Sequence, residues 1–320
     1  MINKRVLIIG GTGALGRTLV RKYQEQNDIM VLSRDEHKHV ALSKEEWVDS
    51  ACITFRIGDV KDRNSLRSAI EDYKPHVVIN AAALKHVPIC EDNPFESVNV
   101  NIIGHQNLIQ SVKWSNHKIE TLIFVSTDKA CKPINVYGMS KAISERLYIE
   151  YANQQSDIKV CLVRYGNVLE STGSVIPFFK KLLNEGKTSL PITDMRMTRF
   201  LLTLEKASEL IDWAYDNDTH GMIAIPKVES FSIPAIAKAL LRWKNIDGEL
   251  EVVGIRPGEK LHEEMISDIE WARTKDGGEN YLITDEIITS DFKSYNSFDS
   301  LMSDDDIYNF LQESGVISEE

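Results

Sequence analysis

Two side chains one helical turn apart define the chemistry this sequence is equipped to run. Tyr137 is followed four residues later by Lys141, and in a helix that spacing puts phenol and ammonium on one face. A cation beside a phenol favours the phenolate, drawing its pKa down from about 10. A tyrosine so tuned takes a proton from an alcohol hydroxyl while hydride leaves the same carbon. Tyr-x-x-x-Lys also occurs on ordinary surface helices, so its meaning depends on what precedes it. Here Ser126, Thr127, Asp128 and Lys129 form a polar cluster that ends the apolar run 121–125. A short run rich in β-branched and aromatic residues reads as a buried parallel strand. Pro133 then forces extended backbone before the helix that Tyr137 opens.

A second constellation lies near the start of the chain. Gly10, Gly13 and Gly16, with Thr12, Ala14 and Leu15 between them, sit where an apolar strand gives way to a helix. The first permits a tight turn, the second lets backbone approach a pyrophosphate, and the third lets helix and strand pack closely. The helix N-terminus adds amide donors and positive dipole, which together describe a dinucleotide site. An NAD-preferring site carries a carboxylate near the end of the second strand, but here stand Ser33 and then Arg34. Arg34 is able to pair with a 2′-phosphate, which favours NADP over NAD; paired with Asp35 it would be a plain surface residue. Asp59 and Val60, after the third strand, are placed to meet the adenine edge. Ala81, Ala82 and Ala83 leave room for the cofactor to pass, or serve equally as core packing.

The elements that must hold these residues follow one rhythm. Strands are expected over 5–10, 29–33, 53–57, 76–80, 121–125 and 159–163. Between them fall helices, among them one capped by Asp62 and one spanning 94–114. That alternation is the signature of β-α-β units, so the fold class is α/β, a Rossmann-type doubly wound parallel sheet. After Arg164 the rhythm loosens. Helices are expected over 175–184, after Thr203, and after Ser232 with Pro234 just inside, and brief strands over 222–225 and 250–253. We therefore divide the chain into a nucleotide-binding domain, 1–168, completed by segments near 200–226, a discontinuous substrate-binding portion, 169–280, and an acidic tail, 281–320.

Composition narrows the partners. A chain of 320 residues with 42% apolar and 27% charged residues has enough apolar content to bury a substantial core. A net charge of −11 argues against nucleic acid or an anionic membrane as partner. Much of the acidic excess follows Thr284, where Asp304, Asp305 and Asp306 stand together, and a solvated face or a partner segment is expected there rather than chemistry. Cys52, Cys90, Cys131 and Cys161 are widely spaced and read as reduced thiols. His37 and His39 lack further ligands at useful spacing, so a solvated loop and no metal are expected. No apolar run reaches membrane-spanning length, and a strand beginning near Arg5 leaves no room for a signal peptide. A cytoplasmic protein is expected.

Taken together, these strings resemble an extended short-chain dehydrogenase/reductase. The resemblance is carried by the three glycines, by Ala81-Ala82-Ala83-Leu84-Lys85-His86, by Ser126 to Ala130, and by the Tyr137/Lys141 pair. More narrowly, the chain is similar to the soluble UDP-N-acetylglucosamine 4,6-dehydratases, above all the C5-inverting type of bacterial nonulosonate synthesis. The likeness continues through 164–167, 173–177, 192–194, 197–200 and 256–260, and covers roughly residues 4–267.

The resemblance implies tightly held NADP, recycled within each turnover, and a UDP-activated amino sugar as substrate. Tyr137, helped by Lys141, would deprotonate the C4 hydroxyl, and the resulting ketone would acidify the C5 proton. Asp128, kept protonated by burial, would give its proton to the departing C6 hydroxyl, with Thr127 beside it, leaving a 4-keto-6-deoxy sugar. Relatives acting on dTDP-glucose carry Asp-Glu where this chain has Asp128-Lys129. Lys129 is therefore assigned as the C5 base, provided desolvation or nearby cations keep part of it neutral. Lys85 is expected to orient the sugar next to the nicotinamide, or else to be a loop lysine. Asn167, Val175, Thr193, Arg199, Arg256 and Glu259 are expected to bind substrate, the two arginines by forking onto its diphosphate. Glu259 and Lys260 would touch the uridine ribose or pair with each other. A homo-oligomer is expected through the helices near 94–114 and 137–151. The competing reading is a UDP-sugar 4-epimerase, which shares the fold but needs no acid–base pair for elimination.

Overall fold

The computed structural model describes residues 1–169 and 173–318. β1 (Arg5–Ile9) turns at Gly10 into α1 (Ala14–Tyr23). There follow β2 (Asp28–Ser33), α2 (Glu36–Ser43), β3 (Ile53–Ile57), α3 (Arg63–Tyr73) and β4 (Val77–Asn80). Asp35 caps α2 by accepting from the Lys38 amide, and Asp62 caps α3 from Asn64. The loop expected around His37 and His39 is thus helix α2, and His39 is buried with Nε2 3.0 Å from the Ser33 carbonyl. Asp35, spent on the cap and on Lys38, does not pair with Arg34.

After β4 come α4 (Val87–Asp92), α5 (Pro94–Val98), a π-helical turn at Asn99–Ile103 and α6 (Gly104–Lys113). The single helix expected over 94–114 is therefore widened in the middle, as happens where a side chain is re-aimed. Asn101, in that turn, donates to the Leu84 carbonyl at 2.9 Å and accepts from the Leu84 amide at 2.8 Å. That pair of bonds ties down the loop carrying Ala81 to Lys85. β5 (Thr121–Val125), α7 (Val136–Gln154) and β6 (Lys159–Val163) complete the first half.

β7 (Asn167–Val168), α8 (Val175–Asn184), β8 (Ser189–Ile192), β9 (Thr198–Leu202) and α9 (Leu204–Asp216) follow. Then come β10 (Ile223–Pro226), β11 (Ser230–Ser232), α10 (Ile233–Trp243), β12 (Glu249–Val252) and β13 (Glu264–Ile266). The chain ends with α11 (Asp268–Trp271), β14 (Thr274–Asp276), β15 (Asn280–Ile283), β16 (Tyr295–Asn296) and α12 (Asp304–Glu313). Among the described residues no helix is long and apolar enough to cross a membrane.

The main sheet has the order β14-β15-β10-β6-β5-β4-β1-β2-β3. From β3 to β10 its pairings are parallel, and β15 and β14 close one edge antiparallel. Alternation along each strand splits its side chains between two cores. Leu7, Ile9, Val78, Leu122, Phe124, Val160 and Leu162 face α3, α6 and α7. Val6, Ile8, Ile79, Ile123, Cys161 and Val163 face α1 and α9, with Leu210 and Ile211 among their contacts. The order reverses between β1 and β4, so a crevice opens outside the carboxyl ends there, the usual place for a ligand in such sheets.

In 281–318 the acidic residues are exposed, as a solvated face requires, but the segment is built into the fold by its apolar ones. Tyr281 to Ile283 lie in β15 within the main sheet, and α12 packs Ile307 and Leu311 against Phe179 of α8 and Leu240 of α10 in a third core. Asp304, Asp305 and Asp306 fill the first turn of α12, where the helix dipole favours negative charge, after a Ser303 cap. The acidic run is thus a helix start.

Candidate active site

The glycine turn builds an open cradle. Gly10 has φ +81°, and a Cβ there would come within 2.8 Å of the Ala82 nitrogen, so only glycine lets β1 end against the chain leaving β4. A Cβ on Gly16 would meet the Gly10 oxygen and Gly11 Cα at 2.5 Å, which is the close helix–turn packing read from the spacing. Gly13 differs: apart from the Gly10 oxygen at 3.3 Å, no described atom lies within 4 Å of where its Cβ would stand. Gly13 is the N-cap of α1 and makes no side-chain cap, so first-turn amides are left for an anion. The Thr12 amide donates to Ser33 Oγ at 3.3 Å, joining the turn to the end of β2. Arg34 is exposed and makes no hydrogen bond or ion pair among the described residues. Asp59 lies 3.9 Å from Lys61 Nζ, and Val60 is buried against Gly104. Ala81 to Ala83 are half-buried, and the Ala82 carbonyl meets His105 Nε2 at 3.2 Å.

At the end of β5 the chain forms a short 3-10 turn, Asp128–Ala130, just ahead of α7. Asp128 is fully buried. Its Oδ1 accepts from Thr127 Oγ1 at 2.9 Å and from Lys129 Nζ at 3.1 Å, while Oδ2 has no partner. Lys129 Nζ also donates to Asn167 Oδ1 at 3.3 Å. Burial lowers the Lys129 pKa, but the Asp128 and Glu263 carboxylates outweigh it and hold the group well above an ordinary lysine. The partial neutrality expected for a base is therefore absent in this state.

Tyr137 and Lys141 open α7, whose N-cap Asn135 accepts from the Gly138 amide. Their electrostatics differ from the expectation. Burial pushes the Tyr137 phenol up to about 12, and the opposing cation is Lys129, helped by a hydrogen bond with Thr127. Lys141 is 2% exposed, and its amine donates to the Val125 carbonyl at 2.6 Å and lies 4.1 Å from the Phe124 ring centre. Burial brings its pKa down to about 7, with Glu145 pulling the other way. The i, i+4 spacing shares a helix face, but the carbonyl at the end of β5 claims the amine. Lys85 is exposed, and desolvation and then the Lys129 charge lower its pKa.

The second portion supplies the facing wall. Arg199 of β9 is buried and its fork is occupied: Nη1 donates to the Thr198 and Leu261 carbonyls and Nη2 to that of Lys260. It pins the 260–263 segment with three of its five N–H groups, and the Glu259 and Glu263 carboxylates stand 3.7 and 3.8 Å from the rest of the guanidinium. Arg256 is exposed, and its amide donates to Glu259 Oε2 at 3.3 Å. Glu259 also lies 3.7 Å from Arg199, while Lys260 donates to the Cys131 carbonyl at 2.7 Å. Glu259 and Lys260 thus take separate partners. The Asn135 side chain donates to the Gly258 carbonyl, bringing this loop onto the start of α7. Thr193 is buried with Oγ1 3.0 Å from Met197 Sδ, and Val175 begins α8 at the edge of the third core.

Two residues escaped the sequence reading. Glu263 is 3% exposed and lies 3.5 Å from Lys129 Nζ. Arg164, 1% exposed, joins Glu145 of α7 to Glu270 of α11 through bonds of 2.6–3.0 Å. Glu263 had a weak signal in its position just after 256–260. Arg164 opens the 164–167 string, but nothing along the chain tied it to Glu145 and Glu270, because the three meet only in space.

A family model described as polysaccharide biosynthesis protein matches residues 6–285. A UDP-N-acetylglucosamine 4,6-dehydratase (inverting) from Campylobacter jejuni is 42% identical over 273 residues, 83% of this chain and 79% of that protein. A UDP-glucose 4-epimerase from Rickettsia bellii is 37% identical over 294 residues, 88% of this chain and 83% of that one. The X-ray structure of Pen from Bacillus thuringiensis superposes with a TM-score of 0.90 at 29% identity, with 99% of each chain covered. With a glycine-turn cradle at the switch point and a Tyr/Lys helix beside it, the chain belongs to the polysaccharide biosynthesis protein family, on the Rossmann-type fold of the extended short-chain dehydrogenases/reductases.

Proposed function

We propose that this protein is a UDP-N-acetylglucosamine 4,6-dehydratase, a lyase of the C5-inverting type, whose UDP-4-keto-6-deoxy-hexose product feeds surface-glycan or nonulosonate synthesis. The observation that carries the reading is the Asp128–Lys129 pair, a buried carboxyl with a free oxygen beside an amine. An epimerase needs no such pair.

The cradle fits a nicotinamide dinucleotide, NADP in preference to NAD. The turn at Gly10, Thr12 and Gly13 shapes the cradle and the open amides of Ala14, Leu15 and Gly16 take the pyrophosphate, while Ser33 and unpaired Arg34 take the 2′-phosphate. Asp59 and Val60 border the adenine, and Ala81 to Ala83, Lys85, Tyr137 and Lys141 border the nicotinamide half. Bound there, the dinucleotide supplies reversible two-electron redox chemistry, which keeps the dehydration redox-neutral.

The chain's own groups move the protons. Tyr137 accepts the proton of the C4 hydroxyl. Asp128 holds Thr127 and Lys129 on Oδ1, which leaves Oδ2 as the atom that acts as general acid towards the departing C6 hydroxyl. Lys129 removes the C5 proton. Arg256, with Asn167, Val175, Thr193 and Glu259 around it, receives the nucleoside diphosphate, while Arg199 holds the wall in place. A homo-oligomer is supported by exposed apolar side chains on α5 and α7, notably Phe95 (86% exposed), Met139 and Ile143. A cytoplasmic setting accords with four free thiols.

Incubation with UDP-N-acetylglucosamine tests the reading directly. Mass loss of one water is expected, and proton NMR in deuterated water reports the C5 configuration. Lys129→Met should abolish dehydration, a loss of at least about 100-fold, with dinucleotide still bound. The Rickettsia relative motivates the one competing outcome: an isobaric product identifies a 4-epimerase instead.

A further inference from the structure

Lys129 must be a neutral amine to take a carbon-bound proton, yet the groups around it keep it charged. Asp128 faces it from its own turn, Glu263 from the segment before β13, and Arg199 from β9. Asn167 of β7 accepts from it, Tyr137 feels its charge from α7, and so does Lys85 from the loop after β4. Asp128 holds two donors on Oδ1, and its unpartnered Oδ2 serves the departing C6 hydroxyl. The Glu263 side chain, by contrast, makes no hydrogen bond among the described residues and has no other part in the step. Its Oε1 lies 3.5 Å from Lys129 Nζ and 3.8 Å from Arg199 Nε. Its Oε2 is buried without a hydrogen-bond partner, with Lys260 Nζ 3.9 Å away. A buried carboxylate oxygen with no donor is costly to leave unpaired.

We propose that Glu263 is the proton partner of Lys129, holding the ammonium while the site is wet and taking its proton when substrate displaces the water. This rests on the dehydratase reading for the step it serves. An N–H bond of the ammonium breaks and an O–H bond forms on Glu263, turning the ion pair into a neutral amine and a neutral acid with no net charge change. Excluding water favours that exchange, because both charges lose their solvation together. The amine then takes the C5 proton. The pair has gained one proton, which balances the one C5 receives back at the end of turnover. Glu263 acts through Lys129 and is a positioning residue rather than a catalytic one.

The test is the pH profile of kcat for water loss from UDP-N-acetylglucosamine, measured on holoenzyme for wild type, Glu263→Gln and Glu263→Asp. The wild-type profile should be flat through neutrality, since the pair delivers neutral amine without losing a proton to solvent. Glu263→Gln should be slower at about pH 6 by at least tenfold and should climb about tenfold per pH unit. Glu263→Asp should restore the flat shape. A Glu263→Gln profile parallel to wild type overturns the inference, since a merely structural role lowers rate without changing shape. A second arm needs no turnover: acetic anhydride labelling of Lys129 across pH, read by peptide mass spectrometry. Labelling of Glu263→Gln should begin at lower pH than wild type, and superimposable curves overturn the inference. Wild type that removes no water yet shows the shifted labelling refutes the dehydratase reading and supports the pairing.

Discussion

Arg164→Met removes the cation from a buried Glu–Arg–Glu triad that bridges the two halves of the molecule. Arg164 Nε and Nη2 fork onto Glu145 at 2.9 and 2.6 Å, and Nη1 and Nη2 onto Glu270 at 3.0 and 2.9 Å. Nη1 also holds the Met265 carbonyl at 2.8 Å. Burial pushes the Glu270 carboxyl up, but the Arg164 charge and hydrogen bonds, with those of Ser267, hold it at about 2, below its ordinary 4.5. A depression of that size corresponds to about 3 kcal/mol favouring the folded, ionised state. Methionine fills similar volume but strands two buried carboxylates, so the expected loss is about 3–5 kcal/mol at pH 7. In a chain of this size that lowers Tm by roughly 10 °C, readable by circular dichroism. Glu270 is depressed in the folded state, so its contribution is present above the ordinary carboxylate pKa and fades as pH falls towards 2. The gap between wild type and variant should therefore narrow on going from about pH 6 to pH 3.5. A variant melting within about 2 °C of wild type at pH 7, or a gap that ignores acid, would show that the triad does not stabilise the fold as argued.

Lys141 gives the opposite pH dependence. Its folded pKa of about 7 lies below the unfolded 10.5, so the unfolded chain binds more protons between those values and stability rises with pH across the window. Relative to Lys141→Met, wild type should gain up to about 1.4 kcal/mol per pH unit between pH 7.5 and 10 in urea unfolding; a constant difference counts against a buried, nearly neutral amine. Arg34→Asp should move the dinucleotide preference from NADP towards NAD by at least tenfold in Kd, about 1.4 kcal/mol, measured by quenching with the reduced forms. An unchanged ratio returns Arg34 to the ordinary surface.

Most of what depended on neighbours along the chain was legible in the sequence, helix α2 with its Asp35 cap being the exception. Strands 53–57, 121–125 and 159–163 and helix 175–184 form where their residue patterns place them, and Asp62, Thr203 and Ser232 cap their helices. Those features need only periodicity and a side chain that reaches its own backbone, interactions spanning three or four residues. Gly10 belongs with them, since its turn demands a positive φ whatever surrounds it.

Proton affinities and partners were decided elsewhere. Tyr137 and Lys141 share a helix face, yet the depth of that face and the Val125 carbonyl fix what each can ionise to. Glu263 reaches Lys129 across 134 residues, and Glu270 reaches Arg164 across 106. The 281–320 segment reads as acidic surface until α12 finds α8 and α10 to cover its apolar stripe. Spacing determines which groups this chain can bring near one another, and burial, which exists only once distant segments close over them, decides where their protons sit.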